Sequence, residues 1–441
     1  MMHESKDLLG AMRVEEERTP GATLNQWGEQ WWHRGPYPAG MREQPFGPSL
    51  SGPSSEKPSA YTVKPPVSQR LHPRFVEASQ DGRARIITLS YPDVDWQGVK
   101  ETAGWAGLQW QALLWTEVVV AEEASGCTLA ASIQDALEFT VVKVHASRDD
   151  NRASIDGSDG AGQHPDPAQD LDEAEWFTAD FYSYDADRSK PSVPHLLALD
   201  PGKYWLVVKP LYEVRVFGGF PADGVPSVKV TIDLEFLEER SIVTPWVQPE
   251  PPLTEVPDVV AGRLAGQVVS IGLTNASRMQ MWTVEAVTQE TGDDLQQLGP
   301  ILLKNSVLPP LSTSRIGLQI DDNIDIPLTQ STIVFTLTLR STTGDMRTTV
   351  RAELPLHHLP VPHPSSMPYS FKHTYITSYN TTVVSAYILP PVHYKSDSTP
   401  RPVIVALHGA GVDVDQSPFW RTALPRQRDS WIVLPTGLTP W

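Results

Sequence analysis

Val228-Lys229-Val230-Thr231-Ile232-Asp233-Leu234-Glu235-Phe236 alternates without a break. Val228, Val230, Ile232, Leu234 and Phe236 fall on one face, and Lys229, Thr231, Asp233 and Glu235 on the other. Successive side chains of an extended chain point to opposite sides, so this pattern predicts a half-buried antiparallel strand. The same period of two runs through Leu108, Trp110, Ala112 and Leu114, through Tyr204, Leu206 and Val208, and through Tyr212, Val214 and Val216. Several such strands in succession predict a β-sandwich over residues 24–243.

Working outward, residues 1–23 are charged and poor in aromatic side chains, the composition of a disordered tail. Residues 47–72 are rich in Ser and Pro and read as a long surface loop. An insertion over 148–175, dense in Asp, Gly, Ser and Pro, interrupts the sandwich as a solvated loop. Pro245, Pro249, Pro251, Pro252 and Pro257 remove ladder donors and stiffen the chain, which marks 244–257 as a linker. Strands predicted at Gln267–Leu273, Met281–Val287, Ile333–Leu339 and Thr348–Leu354, with a Thr342–Asp345 hairpin turn, make 258–354 a second module. At about a hundred residues it has the size of an immunoglobulin-like sandwich. Pro355, Pro360, Pro362, Pro364 and Pro368 form a second linker over 355–368.

Residues 369–441 differ in character. Phe371–Thr377 and Thr382–Leu389 read as a hairpin, Val403–Leu407 as a parallel strand buried on both faces, Ser417–Leu424 as a short helical crossover and Trp431–Pro435 as a further strand. His408-Gly409-Ala410-Gly411 follows the apolar run Val403–Leu407. Glycine lets backbone approach a ligand closely, and such a turn aims N–H groups at the oxygen that becomes negative during acyl transfer. His408 fits a hydrogen-bonding role that holds the loop better than a general base, because in α/β-hydrolases the base comes last in the chain. The nucleophile of such a site stands in a Gly-x-Ser-x-Gly elbow, and the 441 residues contain none.

Composition narrows the function classes. There are 35 Lys plus Arg against 53 Asp plus Glu, a net charge of −18. That balance is repelled by phosphate backbones and anionic lipid, so neither nucleic acid nor a membrane surface is expected as a partner. A single cysteine, Cys127, excludes an internal disulfide, and no Cys/His spacing resembles a zinc site. No metal or cofactor is expected. No apolar run reaches the roughly 20 residues of a membrane span, and Met1–Lys6 lacks the apolar core of a signal peptide. As written the chain reads as cytoplasmic, with secretion the alternative if the start is misassigned. Asn275-Ala276-Ser277 and Asn380-Thr381-Thr382 are the matching glycosylation sequons. Oligomeric state is not encoded in any of these patterns.

Three other groups have a structural and a functional reading. Of fourteen Trp, several cluster at 27–32 and 96–115; these stack on sugars if exposed and form core if buried, and Trp110 alternates with Leu108 and Leu114, which favours core. Asp149, Asp150, Asp156, Asp159, Asp166, Asp170 and Asp172 lack the spacing of a calcium loop and read as solvated charge. His357, His358 and His363 sit in the second linker, where metal binding is the lesser reading.

Pro402–Gly411, together with Trp431-Ile432-Val433-Leu434-Pro435-Thr436-Gly437, resembles the opening of the catalytic domain of prolyl-oligopeptidase-type serine peptidases. The likeness is greatest to large multidomain fungal proteins with β-domains ahead of that domain, whose start Gly35–Pro38 and Arg42–Phe46 also resemble. The resemblance implies a Ser, Asp, His triad on an α/β-hydrolase sheet and a peptide or ester substrate in a complete form. Only the oxyanion loop His408, Gly409, Ala410 and Gly411 carries over, and no catalytic residue does. The expectation is therefore a mainly β chain, two tandem β-sandwich domains followed by an incomplete α/β-hydrolase domain over 369–441, inactive alone. A carboxylesterase is the alternative within the same chemistry, and a non-catalytic glycan- or protein-binding β-sandwich protein the alternative outside it.

Overall fold

The computed structural model describes residues 26–38, 74–81, 83–122, 127–144, 167, 171, 174–181, 193–213, 224–237, 247–290, 298–303, 306–321, 324–344, 346–360, 370–377, 382–392, 400–407, 414–415 and 418–436. The fold is mainly β and built of sandwiches. The predicted 1–23 tail, the 47–72 loop, Val214 and Val216, and nearly all of the 148–175 insertion lie outside the described residues. Among the described residues no helix is long and apolar enough to cross a membrane.

The first module contains β1 (Gln26–Trp27), β2 (Trp31–Pro38), β3 (Arg74–Val76), β4 (Ala78–Asp81), β5 (Ala84–Ser90), β6 (Trp110–Val120), β7 (Thr128–Gln134), β8 (Ala136–Lys143), β9 (Phe177–Thr178), β10 (His195–Ala198), β11 (Gly202–Tyr212) and β12 (Ser227–Leu237). One sheet runs β3-β2-β6-β11-β8-β9, with β1 also on β6, and the other runs β10-β7-β12-β5-β4. The alternation in β12 is realised as read: Val228, Val230, Ile232 and Leu234 are buried in the inter-sheet core. On its outer face Asp233 receives Arg83 Nε at 2.7 Å.

Central strands of the larger sheet are covered on both sides. Trp110, Ala112 and Leu114 of β6 and Tyr204, Leu206 and Val208 of β11 face the main core. Leu113, Trp115, Trp205 and Val207 join Trp32 in a second cluster on the opposite face, capped by Leu171 and Trp176. The Lys209 ammonium lies 3.4 Å from the Trp176 ring centroid and 2.9 Å from Glu138 Oε2. The carboxyl end of the acidic insertion is thus fastened down by an aromatic and a cation. A helix at Trp96–Ala103 interrupts the strands of the region predicted as a β-sandwich. Asp95 caps it by accepting from Gly98 N, and Trp96 and Val99, three residues apart, bury one face.

The second module holds β13 (Val247–Pro249), β14 (Val259–Val260), β15 (Arg263–Leu264), β16 (Val268–Asn275), β17 (Trp282–Glu290), β18 (Ile301–Leu302), β19 (Val307–Leu308), β20 (Ser312–Gln319), β21 (Thr332–Ser341), β22 (Arg347–Pro355) and β23 (His358–Leu359). Sheets β13-β16-β20-β18 and β19-β17-β21-β22 enclose a core that includes Ile271, Leu273, Ile316, Phe335, Leu337 and Leu354. The predicted turn joins β21 to β22, with Gly344 at φ +84°, a conformation that glycine adopts without a Cβ clash.

Both stretches read as linkers are in part secondary structure. Within 244–257, β13 pairs with β16, Glu255 bridges to Ser270, and the Pro251–Leu253 turn lies against β16. The contact is so close that a Cβ on Gly272 would fall 2.1 Å from Glu250 O. Prolines suit an edge strand whose outer side needs no donors, which is why a proline cluster did not mean a free tether here. Within 355–368, β23 pairs in parallel with β14 and closes a small sheet β15-β14-β23.

Beyond residue 369 come β24 (Phe371–Ile376), β25 (Val383–Leu389), β26 (Val403–Val405) and β27 (Trp431–Pro435), in the order β24-β25-β27-β26. The first three pair antiparallel and β26 pairs parallel to β27, across a connection that includes the helix Pro418–Ala423. The expectation that Val403–Leu407 is buried on both faces is not met. β26 is the edge of this sheet, and Val403, Ile404, Val405 and Leu407 are 58%, 41%, 58% and 74% exposed. Apolar sequence announces that a strand is suited to cover, and among the described residues nothing provides that cover.

Candidate functional site

The sequence-predicted loop His408, Gly409, Ala410 and Gly411 lies outside the described residues, but both of its flanks are described. β26 leads into it through the exposed Leu407. On the far side Val414 is buried with Tyr387, Leu389, Ile432 and Leu434 in a small core of the third sheet. Next to it, Asp415 is held on two sides. The Tyr387 hydroxyl donates to Asp415 Oδ1 at 2.5 Å, and the Lys372 ammonium stands 3.3 Å from the same oxygen.

Lys372 also reaches Glu255 Oε2 of the second module at 2.7 Å. Burial pulls the Lys372 ammonium down, but Asp415 and then Glu255 outweigh it and hold its pKa above the usual lysine value. Burial, followed by the Asp415 charge and hydrogen bond, pushes the Tyr387 phenol far up, so it stays a donor. The Arg421 guanidinium lies 4.2 Å from the centroid of the Tyr387 ring.

A second tie joins the modules at backbone level. Asp258 N donates to Lys372 O at 3.0 Å, and Lys372 N donates to Asp258 Oδ2 at 2.6 Å. His357 Nδ1 is 3.0 Å from the other Asp258 oxygen. Burial pushes the Asp258 carboxyl up, against the lowering effect of the Lys372 amide and His357. Thr374 Oγ1 donates to Val268 O, and Gly266 leaves the room this requires, since a Cβ there would fall 2.5 Å from Thr374 Oγ1.

This arrangement can fix a loop and a sheet; its described residues offer no nucleophile paired with a base. None of the charged residues in the cluster was singled out from sequence. Lys372, Asp415, Glu255 and Asp258 are isolated there, and only the folded chain brings them together. Of the histidines read as a possible metal group, His357 pairs with Asp258 and His358 Nε2 lies 2.6 Å from Gln330 O, while His363 is outside the described residues. The seven Asp of the insertion are outside them as well. Trp31, Trp32, Trp96, Trp110 and Trp115 are buried in the first module, as alternation at Trp110 suggested, whereas Trp105 of the same run is 51% exposed; Cys127 is buried.

No family model matches this chain, and no curated protein does. Among solved structures it is similar to a calcium-binding mutant of Bacteroides uniformis beta-glucuronidase 2, with 9% identity, a TM-score of 0.26 and coverage of 75% of this chain and 32% of that one. It is also similar to Bacteroides uniformis beta-glucuronidase, at 10% identity, a TM-score of 0.24 and coverage of 55% and 26%. A glycosyl hydrolase family 2 member from Bacteroides cellulosilyticus gives 7% identity, a TM-score of 0.23 and coverage of 68% and 32%. This chain therefore spans about a third of the length of those chains or less, and likeness at this level carries no argument about fold or function.

Proposed function

We propose that this chain is the amino-terminal portion of a serine hydrolase, a serine-type peptidase acting through an acyl-enzyme, with two β-sandwiches ahead of the catalytic sheet. The observation that carries the reading is the parallel pairing of β26 with β27 at an open apolar edge, with the carboxyl end of β26 running directly into His408-Gly409-Ala410-Gly411. In open α/β sheets, ligands bind outside the carboxyl ends of parallel strands. A glycine-rich turn at that position supplies backbone N–H groups for a developing oxyanion, each worth about 3 to 4 kcal/mol in the transition state.

The Lys372, Tyr387 and Asp415 cluster holds the chain at Asp415, four residues beyond Gly411. The nucleophile, its base and its orienting acid are not in this sequence, and an oxyanion loop without them leaves only weak residual catalysis. A further parallel strand covering β26 and leading to a Gly-x-Ser-x-Gly elbow completes the site in this reading. A carboxylesterase shares every one of these features and differs only in the substrate.

Two measurements test the proposal. A fluorophosphonate probe and a chromogenic ester are expected to leave this chain unlabelled and inactive, and clear covalent labelling would falsify the account of its missing triad. Reading the coding DNA past Trp441 is expected to reveal an open frame with the elbow; a frame without one removes the support for hydrolase ancestry.

A further inference from the structure

The first sandwich carries a groove of about 330 Å³ at its open side, remote in sequence from the third sheet and independent of the hydrolase reading. β3 and β4 are the terminal strands of the two sheets, so the chain crosses from one sheet to the other at Glu77. The crossing leaves a trough between the Gly28-Glu29 turn, Phe75, Gln80 and Arg85.

The chemistry of the walls is mixed in a particular way. Phe75 stands 58% exposed although it sits in a strand, offering an apolar plate to solvent. The Arg85 guanidinium lies 5.3 Å from the Trp27 ring centroid, and among the described residues it has no carboxylate partner. Among the same residues Glu29 and Glu77 have no cationic partner, although both line the groove with Arg85. A guanidinium and two carboxylates without oppositely charged partners among the described residues therefore stand beside an aromatic face.

That combination selects among ligand classes. Two carboxylates disfavour an anion, one guanidinium disfavours a simple cation, and the polar walls disfavour a lipid chain. A neutral molecule with hydroxyls that both donate and accept, and with one apolar C–H face, meets all of them. We propose that this groove binds a neutral saccharide, its ring against Phe75 and its hydroxyls held by Arg85, Glu77 and Glu29.

Calorimetric titration of the full chain with cellohexaose, xylohexaose and mannohexaose tests this. At least one is expected to bind, Phe75→Ala to weaken it about tenfold or more, and Phe75→Tyr to retain it. Because Phe75 is exposed, its loss should leave the melting temperature unchanged, which separates lost binding from lost folding. Arg85→Gln should weaken the same sugar and no other property. The proposal is overturned if none of the three binds, or if binding ignores Phe75→Ala. It is equally overturned if an unstructured peptide or a heparin hexasaccharide, in place of a neutral sugar, is what Phe75→Ala abolishes.

Discussion

Val268–Asn275 and Val403–Val405 are both apolar strands, and they meet opposite fates. Every residue of the first is buried, and every residue of the second is exposed. In β16, Ile271 and Leu273 enter the module core, while the other face is closed by the Pro251–Leu253 turn and the tie from Thr374. In β26 the ladder to β27 is satisfied on one side and open on the other. Apolarity is thus a property of the segment, whereas burial is a property of its neighbours.

The largest expected effect separates the two strands directly. Leu273→Ala should cost about 2 to 5 kcal/mol in denaturant unfolding, the range for a buried leucine truncated in a packed core. Ile404→Ala should stay within about 0.5 kcal/mol. If the two variants cost the same, β26 is covered in solution and the contrast fails.

Charge sharpens the same contrast on the first module. His33 is buried and 3.2 Å from the Tyr91 hydroxyl; burial first, then the nearby Arg74 charge, lower its pKa from 6.5 to about 4, with Asp93 opposing. The folded state then binds fewer protons than the unfolded one between those values, so stability is complete above pH 6.5 and declines as pH falls towards 4. The loss amounts to about 3 kcal/mol from this group. A pH series of chemical denaturation should show that slope in the parent and its disappearance in His33→Phe. A slope that persists unchanged assigns acid sensitivity elsewhere.

The smallest effect on stability belongs to Ile404→Lys, which should leave unfolding within about 0.5 kcal/mol while reducing concentration-dependent association. Light scattering across a dilution series reads it. Equal association in parent and variant would mean that the open edge is not what brings copies together.

Much of the architecture could be read from residue order because sandwiches write their alternation into the chain. Val228–Phe236 and the Thr342–Asp345 turn are of this kind, and Trp431–Pro435 was found with its limits as observed. The Trp96–Ala103 helix was missed, although Asp95 followed by Trp96 and Val99 carries a cap and a helical spacing. Exposure of β26 was not legible, since periodicity cannot state who stands alongside. Proline-rich segments misled for a related reason: a missing donor is tolerated at an edge as readily as in a tether. The glycine-rich motif at His408–Gly411 lies outside the described residues, whereas the Lys372, Glu255 and Asp415 cluster joins residues far apart in sequence with no local signal.

Asp258 sets a rule for anyone dividing this molecule. Its carboxylate, nearly inaccessible to solvent, takes its bonds from His357 and from the backbone of Lys372. An excised fragment stopping at residue 354 would strand that acid without either donor and remove the strand beside Val259. Useful boundaries for expression therefore fall elsewhere than where the prolines invite them, and the immunoglobulin-sized unit owes part of its integrity to the polypeptide that follows it.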